Sequence, residues 1–257
     1  MAGTMTVVIP TLKERDNIAE MAAALRSMYP DFYIVFMDDC SKDGSAETIR
    51  GLGDPKTKFV ERDPDDRGLS ASIFQGIEEC GTDYFAVMDC DFQHPVEIIG
   101  RMYGQLENGS DLCIGTRTDR FALGFVRWAG SWAFSIFANL YLFCIGRRTS
   151  KDPMSGLFAG KCCVYAPVIR EHSGSMERKG WKALLDLLKF GPRDVVITHE
   201  GYKFRKRERG KSNISPRVVY YTFRQCGILG RGFARVYAFV KGIKDVRCRR
   251  GFRIASG

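Results

Sequence analysis

Apolar positions follow two different patterns along the first half of the chain. Five short apolar runs without a helical period predict β-strands at Met5–Ile9, Phe32–Met37, Lys58–Val60, Tyr84–Met88 and Leu112–Ile114. Segments with helical spacing lie between them and predict helices near residues 14–28, 43–51, 68–79 and 95–107. Strands that alternate with helices at these spacings predict an α/β protein, with a mostly parallel sheet and helices on both faces.

Two of the predicted helices carry start signals. Asp43 has the side chain expected of an N-cap residue for the second helix. Pro95 suits the first turn of the fourth helix, where a missing N–H costs nothing. The helix boundaries are therefore expected at these residues.

A longer segment, from Trp128 to Gly146, contains no charged residue over 19 positions. This approaches the length of a bilayer-spanning helix. Glycine, serine and asparagine interrupt the segment, and Arg127 and Arg147 flank it. We therefore expect a buried or interfacial helix and no transmembrane span.

Polar side chains follow three of the predicted strands, in residues 10–17, 38–45 and 89–95. The carboxyl ends of parallel strands lie at one edge of a sheet, where ligands of such folds bind. The expected cleft is rimmed by Glu14, Asp38, Asp39, Asp89 and Asp91. So many carboxylates would repel one another unless a cation or a hydroxyl-rich ligand lay among them. A nucleotide with a metal-bound diphosphate meets both needs.

Asp89 and Asp91 are the candidate metal ligands at this edge. Residues i and i+2 of extended chain point the same way, so both carboxylates can face one point. Hard oxygen donors of this kind suit Mg²⁺ or Mn²⁺. Taken alone, the tripeptide fits two exposed acids at a solvated strand end equally well. The chain has neither the glycine-rich fingerprint of dinucleotide-binding enzymes nor a phosphate-binding P-loop, so phosphate must be handled differently.

Seven motifs occur in a fixed order: VVIPTLKERDNI, MDDCSKDGS, DRGLSAS, VMDCDFQHP, IGTR, DPMSGLF and FRKRERGKS. Over roughly residues 5–215 they resemble family-two glycosyltransferases with the GT-A fold, and among these most closely the dolichyl- or polyprenyl-phosphate mannosyltransferases. The resemblance implies a Rossmann-like sheet. It also implies metal-dependent, inverting transfer of a sugar to a polyprenyl or dolichyl phosphate, with GDP-mannose as the favoured nucleoside-diphosphate sugar.

The same resemblance implies roles for individual residues. The nucleotide would be bound by Pro10, Thr11, Glu14, Asp39 and Asp89. The metal, Mg²⁺ or Mn²⁺, would be bound by Asp89, Asp91 and Gln93. Two arginines, Arg117 and Arg207, would contact the donor or acceptor phosphate and complete the catalytic set.

The acceptor phosphate is expected to meet a polar stripe on the uncharged helix. Four residues spaced by four positions share one helical face, namely Arg127, Ser131, Ser135 and Asn139. The family has an arginine at the position of Ser131, and here the arginine stands one turn earlier. Lys211, in the last motif, is a further candidate because cations match phosphate oxygens.

Other functions remain open at this point. A transferase acting on a saccharide hydroxyl would need a catalytic base, and the processive ones carry Gln-x-x-Arg-Trp. Arg127-Trp128 is present, but Gly124 occupies the glutamine position. A non-catalytic nucleotide-sugar or membrane-binding module is a second alternative, although both aspartates of the pair remain. Nucleic-acid binding is a remote alternative, because the cleft is acidic.

Charge divides the chain into two parts. The net charge is +9, yet residues 201–257 contain 16 Lys or Arg and two acidic residues, so the first 200 residues are net acidic. We expect a catalytic domain in residues 1–214 and a basic, aromatic segment in residues 215–257. Amphipathic helices of the second part would lie on a membrane surface, with its cations on anionic headgroups. Packing of these helices on the catalytic domain is the alternative.

Cysteine usage and the N-terminal residues bear on location. The nine cysteines include no C-x-x-C pair, which favours a reducing compartment. The start of the sequence lacks the pattern of a signal peptide. We therefore expect a cytoplasmic protein bound peripherally to the cytoplasmic face of a membrane, with a membrane-anchoring subunit as a further candidate partner.

Overall fold

A computed structural model describes residues 3–118, 125–205 and 216–241. Seven strands form one sheet in this part of the chain: β1 (Met5–Thr11), β2 (Tyr33–Asp38), β3 (Thr57–Glu61), β4 (Tyr84–Val87), β5 (Leu112–Arg117), β6 (Phe158–Lys161) and β7 (Ile197–Tyr202). Their order across the sheet is β3-β2-β1-β4-β6-β5-β7. β6 runs antiparallel to both of its neighbours, and the other pairs are parallel.

Helices cover both faces of the sheet. They are α1 (Arg15–Met28), α2 (Ser45–Gly51), α3 (Leu69–Glu78), α4 (Ile98–Glu107), α5 (Phe125–Cys144), α6 (Cys162–His172), α7 (Ala183–Phe190), α8 (Pro216–Gln225) and α9 (Gly227–Val240). Apolar residues of α1, α2 and α4 form one core with the sheet. Apolar residues of α3, α5, α6 and α7 form the second core on the opposite face. The predicted α/β architecture is confirmed.

All five predicted strands and all four predicted helices are present, and the two start signals are shifted. The N-cap of α2 is Gly44 in a left-handed conformation, not Asp43. Asp43 lies one residue earlier, where its Oδ1 accepts the backbone N–H of Ser45 at 3.1 Å. α4 begins at Ile98, so Pro95 lies in the turn that precedes the helix and not in its first turn.

The strand order reverses at the centre of the sheet. β2 and β3 lie on one side of β1, whereas β4 lies on its other side. The register aligns Thr11 with Asp38, and Val8 with Val87. The loops after β1, β2 and β4 therefore leave the sheet at one edge, at a reversal point where ligands of α/β sheets bind.

The uncharged segment forms most of α5, and the C-terminal helices α8 and α9 pack beside it. Ring contacts join Phe134 to Phe223 and Phe137 to Phe233. Within the described residues, no helix is both long and apolar enough to span a bilayer. The eight cysteines of this part of the chain are free thiols.

Candidate active site

The loops after β1 and β4 bring three carboxylates around one buried thiol. Cys90 lies between Asp89 and Asp91 and is only 2% exposed. Burial raises the pKa of the Cys90 thiol well above its usual value, and the carboxylates of Glu14, Asp91 and Asp89 raise it further. Carboxylates that follow two separate strands thus act on one buried thiol, and their convergence on a single ion stays a prediction.

The backbone at this edge is strained. Among the described residues, four that are not glycine have a positive φ: Lys13, Cys40, Lys42 and Phe92. One follows β1, two follow β2 and one follows β4. Strained backbone of this kind clusters at ligand and catalytic sites, where the surrounding structure holds it in place.

Asp89 and Asp91 differ in exposure. The side chain of Asp89 is 42% exposed. Asp91 is 2% exposed, and its Oδ1 accepts the backbone N–H of Gln93 at 3.1 Å. One carboxylate is thus oriented by its own loop, while the other faces the opening of the cleft.

His94 supports this loop from the interior. Its Nδ1 accepts the backbone N–H of Asp89 at 3.3 Å, and its ring packs edge-on against Tyr202 and Phe204. Burial lowers the pKa of His94 to about 4, so the ring is neutral at physiological pH. A ring whose Nδ1 accepts carries its proton on Nε2.

The donor set at this edge fits a divalent ion that is shared with a ligand. Within the described residues, no three His, Cys, Asp or Glu side chains are grouped as a complete metal site. A divalent ion held by two carboxylates would take its other ligands from water and phosphate oxygens, which is the usual coordination of Mg²⁺ in nucleotide enzymes. Asp89 and Asp91 would hold such an ion.

Gln93 connects this loop to the chain that follows β7. The backbone N–H of Arg205 donates to the carbonyl of Gln93 at 3.0 Å, and the Gln93 side-chain amide donates to the carbonyl of Arg205 at 3.4 Å. The seventh motif therefore begins beside the carboxylate pair. Arg207 and Lys211 of that motif lie outside the described residues, so their predicted contacts with phosphate stay predictions.

Arg117 lies at the end of β5, opposite Tyr202 of β7. Its guanidinium carbon is 4.0 Å from the centroid of the Phe204 ring. Burial raises the pKa of Tyr202 to about 12, whereas the Arg117 charge acts against this rise. The aromatic pair thus holds a cation at the same edge of the sheet as the carboxylates.

The predicted nucleoside residues lie at the tips of β1 and β2. Pro10 and Thr11 end β1, and the Thr11 hydroxyl donates to Asp38 at 3.2 Å. Glu14 precedes α1 and accepts the side-chain amide of Asn17 at 2.6 Å. These residues border the cleft, and their contact with a nucleoside stays a prediction.

Asp39 is placed at the predicted edge, but its carboxylate is bound from within the protein. It pairs with the buried guanidinium of Arg62 and accepts the Ser72 hydroxyl at 3.0 Å and the Gly68 N–H at 2.8 Å. Asp66 joins Arg62 to Arg178, which extends the network to the loop before α7. Asp39 thereby fixes the loop that follows β2, which is the loop expected to face the nucleoside. A direct contact between Asp39 and the base or ribose stays a prediction.

Comparison with known proteins decides the family. The model of "Glycosyl transferase family 2" matches residues 6–169, which is more than half of the chain. This chain belongs to glycosyl transferase family 2. It is therefore a glycosyltransferase, and the predicted resemblance is confirmed.

Relatives of this glycosyltransferase cover nearly the whole chain. The dolichol-phosphate mannosyltransferase of Pyrococcus furiosus is 28% identical over 263 residues, which cover 96% of this chain and 71% of the relative. The dolichol-phosphate mannosyltransferase of Saccharomyces cerevisiae is 28% identical over 234 residues, covering 86% of this chain and 84% of the relative.

Solved structures show the same fold. Glucosyl-3-phosphoglycerate synthase from Mycobacterium tuberculosis, in complex with Mn²⁺, UDP and glucosyl-3-phosphoglycerate, has a TM-score of 0.61 at 17% identity, covering 88% of this chain and 81% of its own. The mannosyltransferase PcManGT from Pyrobaculum calidifontis, in complex with GDP-Man and Mn²⁺, has a TM-score of 0.54 at 15% identity, covering 95% of this chain and 65% of its own. The glycosyltransferase has the predicted GT-A fold.

The predicted acceptor stripe of the glycosyltransferase is only partly described. The side chains of Arg127 and Ser131 lie outside the described residues, although α5 includes both positions. Ser135 is 5% exposed, and its hydroxyl has no hydrogen-bond partner in the described part of the chain. Asn139 instead clamps Ser150, with bonds of 2.8 and 3.0 Å to its backbone carbonyl and N–H.

The sequence patterns did not single out Lys182. It precedes α7, and its Nζ donates to the Met154 carbonyl at 2.7 Å. Met154 belongs to the loop of residues 152–156, which borders Asp89 because a Cβ on Gly156 would lie 3.6 Å from Asp89 Oδ2. One sequence signal was available. Residues that directly precede a helix usually have a side chain that accepts a hydrogen bond from the first backbone N–H groups, and lysine cannot do this.

Proposed function

We propose that this glycosyltransferase transfers mannose from a nucleoside diphosphate to the phosphate of a polyprenol or dolichol. The observation that supports the proposal is the sheet edge where Glu14 follows β1, Asp89 and Asp91 follow β4, and Arg117 ends β5. Dolichol-phosphate mannosyltransferases that match 96% and 86% of the chain support this acceptor class.

The chemistry needs phosphates held close together and does not need a strong base. A polyprenyl phosphate is already anionic, so its oxygen can attack the anomeric carbon directly, with inversion. Asp89 and Asp91 would hold Mg²⁺ or Mn²⁺, with Gln93 as the third predicted ligand. The ion would stabilise the charge on the departing diphosphate as a Lewis acid. His94 keeps the loop of these carboxylates in place through the Asp89 N–H.

GDP-mannose is the proposed donor. Mannose is proposed because the relatives are dolichol-phosphate mannosyltransferases, and GDP-Man is the ligand of PcManGT. The nucleoside would lie along Pro10, Thr11 and Glu14, with Asp39 bracing the neighbouring loop through Arg62. Other structures of this fold contain UDP, so the base is the least constrained part of the proposal.

The acceptor phosphate is proposed to lie between Arg117 and α5. The buried Ser135 hydroxyl without a partner supports this side of the site, because a buried polar group is normally hydrogen-bonded. Arg127, Ser131, Arg207 and Lys211 are the further proposed contacts.

A membrane surface is the proposed location, because apolar side chains point outward from two neighbouring helices. On α5 they recur at helical spacing as Trp132, Ile136, Leu140 and Phe143, and on α9 as Phe233, Val236, Phe239 and Val240. Phe137 of α5 contacts Phe233 of α9, so the two helices are adjacent. Exposed Arg231, Arg235 and Lys241 accompany the apolar residues of α9. Apolar and basic residues together suit an anionic lipid surface, which we place on the cytoplasmic side. An anchoring subunit could share this surface.

A panel of donors and acceptors tests the proposed function. Labelled GDP-mannose, UDP-glucose and UDP-GlcNAc are each supplied with Mn²⁺ and either polyprenyl phosphate or free saccharides. We expect label in the lipid phase from GDP-mannose. Transfer to saccharide hydroxyls without transfer to the lipid phosphate would overturn the proposal.

A further inference from the structure

Lys182 occupies a position where its charge does not favour the helix that it precedes. It is the N-cap residue of α7. Helix N-termini carry a partial positive charge and prefer serine, threonine or acidic residues at this position. The local helix therefore gives no reason for a lysine, and its side-chain surroundings supply one.

The ammonium group of Lys182 binds a loop that borders Asp89. Nζ donates to the carbonyl of Met154 at 2.7 Å. Two residues later, the space that a Cβ on Gly156 would fill lies 3.6 Å from Asp89 Oδ2 and 3.8 Å from the His94 ring. An ammonium group has three donors, and this carbonyl uses one of them.

Arg117 is a second cation that contacts link to the same loop. Its guanidinium carbon lies 4.0 Å from the centroid of the Phe204 ring, that ring contacts His94, and His94 borders Gly156. Burial and then the charge of Arg117 lower the pKa of Lys182, whereas Asp152 and Asp89 raise it. Arg117 and Lys182 also both lower the pKa of His94. Contacts therefore link the two cations through Phe204, His94 and the loop of residues 152–156. Like charges near one another cost free energy unless an anion lies beside them.

Metal binding would sharpen this charge imbalance. A divalent ion on Asp89 and Asp91 would neutralise the charge of Asp89 that now favours protonated Lys182. The ion would add positive charge beside the loop of residues 152–156, which Lys182 contacts through Met154. A phosphate group carries the charge and the acceptor oxygens that would restore the balance.

We propose that Lys182 and Arg117 together bind a phosphate group of the reactants, with the Met154 carbonyl holding the lysine in position. This inference deepens the proposed function and rests on it. Two reactants carry such a group, the lipid phosphate and the nucleoside diphosphate. Arg117 was expected from the sequence to contact phosphate, and Lys182 is the additional ligand.

Three variants of the full chain separate charge from structure. Lys182→Gln removes the charge but keeps a donor for the Met154 carbonyl, Lys182→Arg keeps the charge, and Lys179→Gln changes an exposed lysine three residues away. Binding of farnesyl phosphate and, separately, of GDP with Mn²⁺ is measured by titration calorimetry. We expect Lys182→Gln to weaken farnesyl phosphate binding roughly 10- to 100-fold, Lys182→Arg to recover most of this loss, and Lys179→Gln to bind as the wild type does.

The two ligands distinguish the source of the phosphate. If Lys182→Gln weakens the binding of farnesyl phosphate alone, the acceptor phosphate binds at Lys182. If it weakens the binding of GDP alone, the donor diphosphate binds there. Either result supports the site. Unchanged binding of both ligands overturns it. So does an equal loss in Lys182→Gln and Lys182→Arg with a matching fall in melting temperature, which would show a structural role alone.

A footprint on the wild type gives a second measurement that does not depend on variants folding. Lysine acetylation is followed by mass spectrometry with and without farnesyl phosphate or GDP with Mn²⁺. We expect protection of Lys182 and none of Lys179, and an unprotected Lys182 overturns the inference. Lys182-dependent phosphate binding without any sugar transfer would instead refute the proposed function and leave this site intact.

Discussion

Several single residues at the sheet edge have strained backbone conformations. Phe92 stands between Asp91 and Gln93 with φ of 58°, and the other described non-glycine residues with positive φ follow β1 and β2. Each such residue costs about 1–2 kcal/mol relative to the right-handed region. Phe92 turns the chain so that Gln93 can bond both to Asp91 and to Arg205. Strain at this position therefore accompanies the arrangement of the predicted metal ligands.

Gly68 is a residue whose backbone position tolerates no side chain. Its φ is +156°, and a Cβ would lie 2.2 Å from the Arg178 carbonyl oxygen. Because the Gly68 N–H also bonds Asp39, we expect Gly68→Ala to lower the free energy of unfolding by about 1–3 kcal/mol. It should also raise the KM for the nucleotide sugar. Chemical denaturation and steady-state kinetics measure both.

Gly81 provides the control for this substitution. A Cβ there would meet no atom within 4 Å, so Gly81→Ala should change stability by no more than about 0.5 kcal/mol. Equal stability of the two variants would show that the contact between Gly68 and Arg178 does not constrain the fold.

The placement of a site residue could be predicted from the sequence where that residue belongs to a recognisable motif. The positions of Asp89, Asp91 and Arg117 at one edge follow from strand ends and their motifs. The partners of Asp39 could not be predicted, because Arg62 and Ser72 reach it only after β3 and α3 have packed. Lys182 was missed for the same reason, since its partner Met154 lies 28 residues away along the chain.

At the scale of elements, one buried pair joins α8 to α7. Gln225 Nε2 donates to Asp186 Oδ2 at 2.9 Å and to the Lys182 carbonyl at 3.2 Å. Asp186 Oδ1 and Gln225 Oε1 are buried, and neither has a partner in the described part of the chain. A proton on Asp186 would remove the charge from this buried carboxyl group.

The pH dependence of this pair follows from the pKa of Asp186. Burial raises that pKa above its ordinary value, so the folded protein binds the proton more tightly than the unfolded chain does. The stability from this group is complete below the unfolded pKa of about 4 and is lost as pH rises through the folded pKa. Asparagine cannot ionise, so it removes this pH dependence.

We therefore expect Asp186→Asn to raise the free energy of unfolding at pH 7 by about 1 kcal/mol. The gain should shrink as the pH approaches 4. Gln225→Leu serves as the opposing variant, because it leaves the Asp186 carboxyl without its amide partner and should destabilise by about 1–3 kcal/mol. Thermal unfolding across this pH range measures both, and a destabilised Asp186→Asn at pH 7 would contradict the account.

Elements with a continuous apolar run or strict helical spacing could be predicted, whereas β6, β7, α6 and α7 were not predicted. β6 has only four residues and includes Gly160, where a Cβ would lie 2.9 Å from the Phe85 ring. β7 mixes threonine, histidine and glutamate into a half-buried strand. Neither has the apolar run that marks the other five strands, so pairing within the sheet, rather than local pattern, defines them.

At the scale of the whole molecule, the basic C-terminal part meets the catalytic part through specific bonds. Arg224 pairs with Glu177 at 3.5 Å, and Lys189 donates to the Gln225 carbonyl at 3.3 Å. α8 therefore packs on the elements that precede it, as the alternative in the sequence analysis described, whereas the membrane-surface role of α9 stays a prediction. The sequence shows that residues 201–257 are basic and the first 200 residues net acidic. It does not show which elements α8 contacts.

Membrane binding is the prediction at this scale. A double variant, Phe143→Ser with Phe239→Ser, removes the two phenylalanines that are most exposed among the described side chains of α5 and α9, at 73% and 90%. Insertion of each ring into an interface is worth about 1 kcal/mol or more, so binding to vesicles with anionic lipid should fall at least about tenfold.

The matched control changes exposed apolar residues elsewhere, as Leu52→Ser with Val196→Ser. Flotation with phosphatidylcholine vesicles, with and without phosphatidylglycerol, measures all three proteins. An equal loss in both double variants, or none in either, would contradict a membrane-facing role for α5 and α9.

The central claim is that Asp89 and Asp91 hold a divalent ion on the donor diphosphate, and metal-dependent label transfer tests it most directly. Transfer from labelled GDP-mannose to polyprenyl phosphate is measured with chelator, after Mn²⁺ is restored, and in Asp91→Asn. Asp31→Asn, whose side chain is 93% exposed, serves as control. We predict that chelation abolishes transfer reversibly, that Asp91→Asn lowers kcat at least about 100-fold, and that Asp31→Asn is unaffected. Undiminished turnover in chelator or in Asp91→Asn would contradict the account.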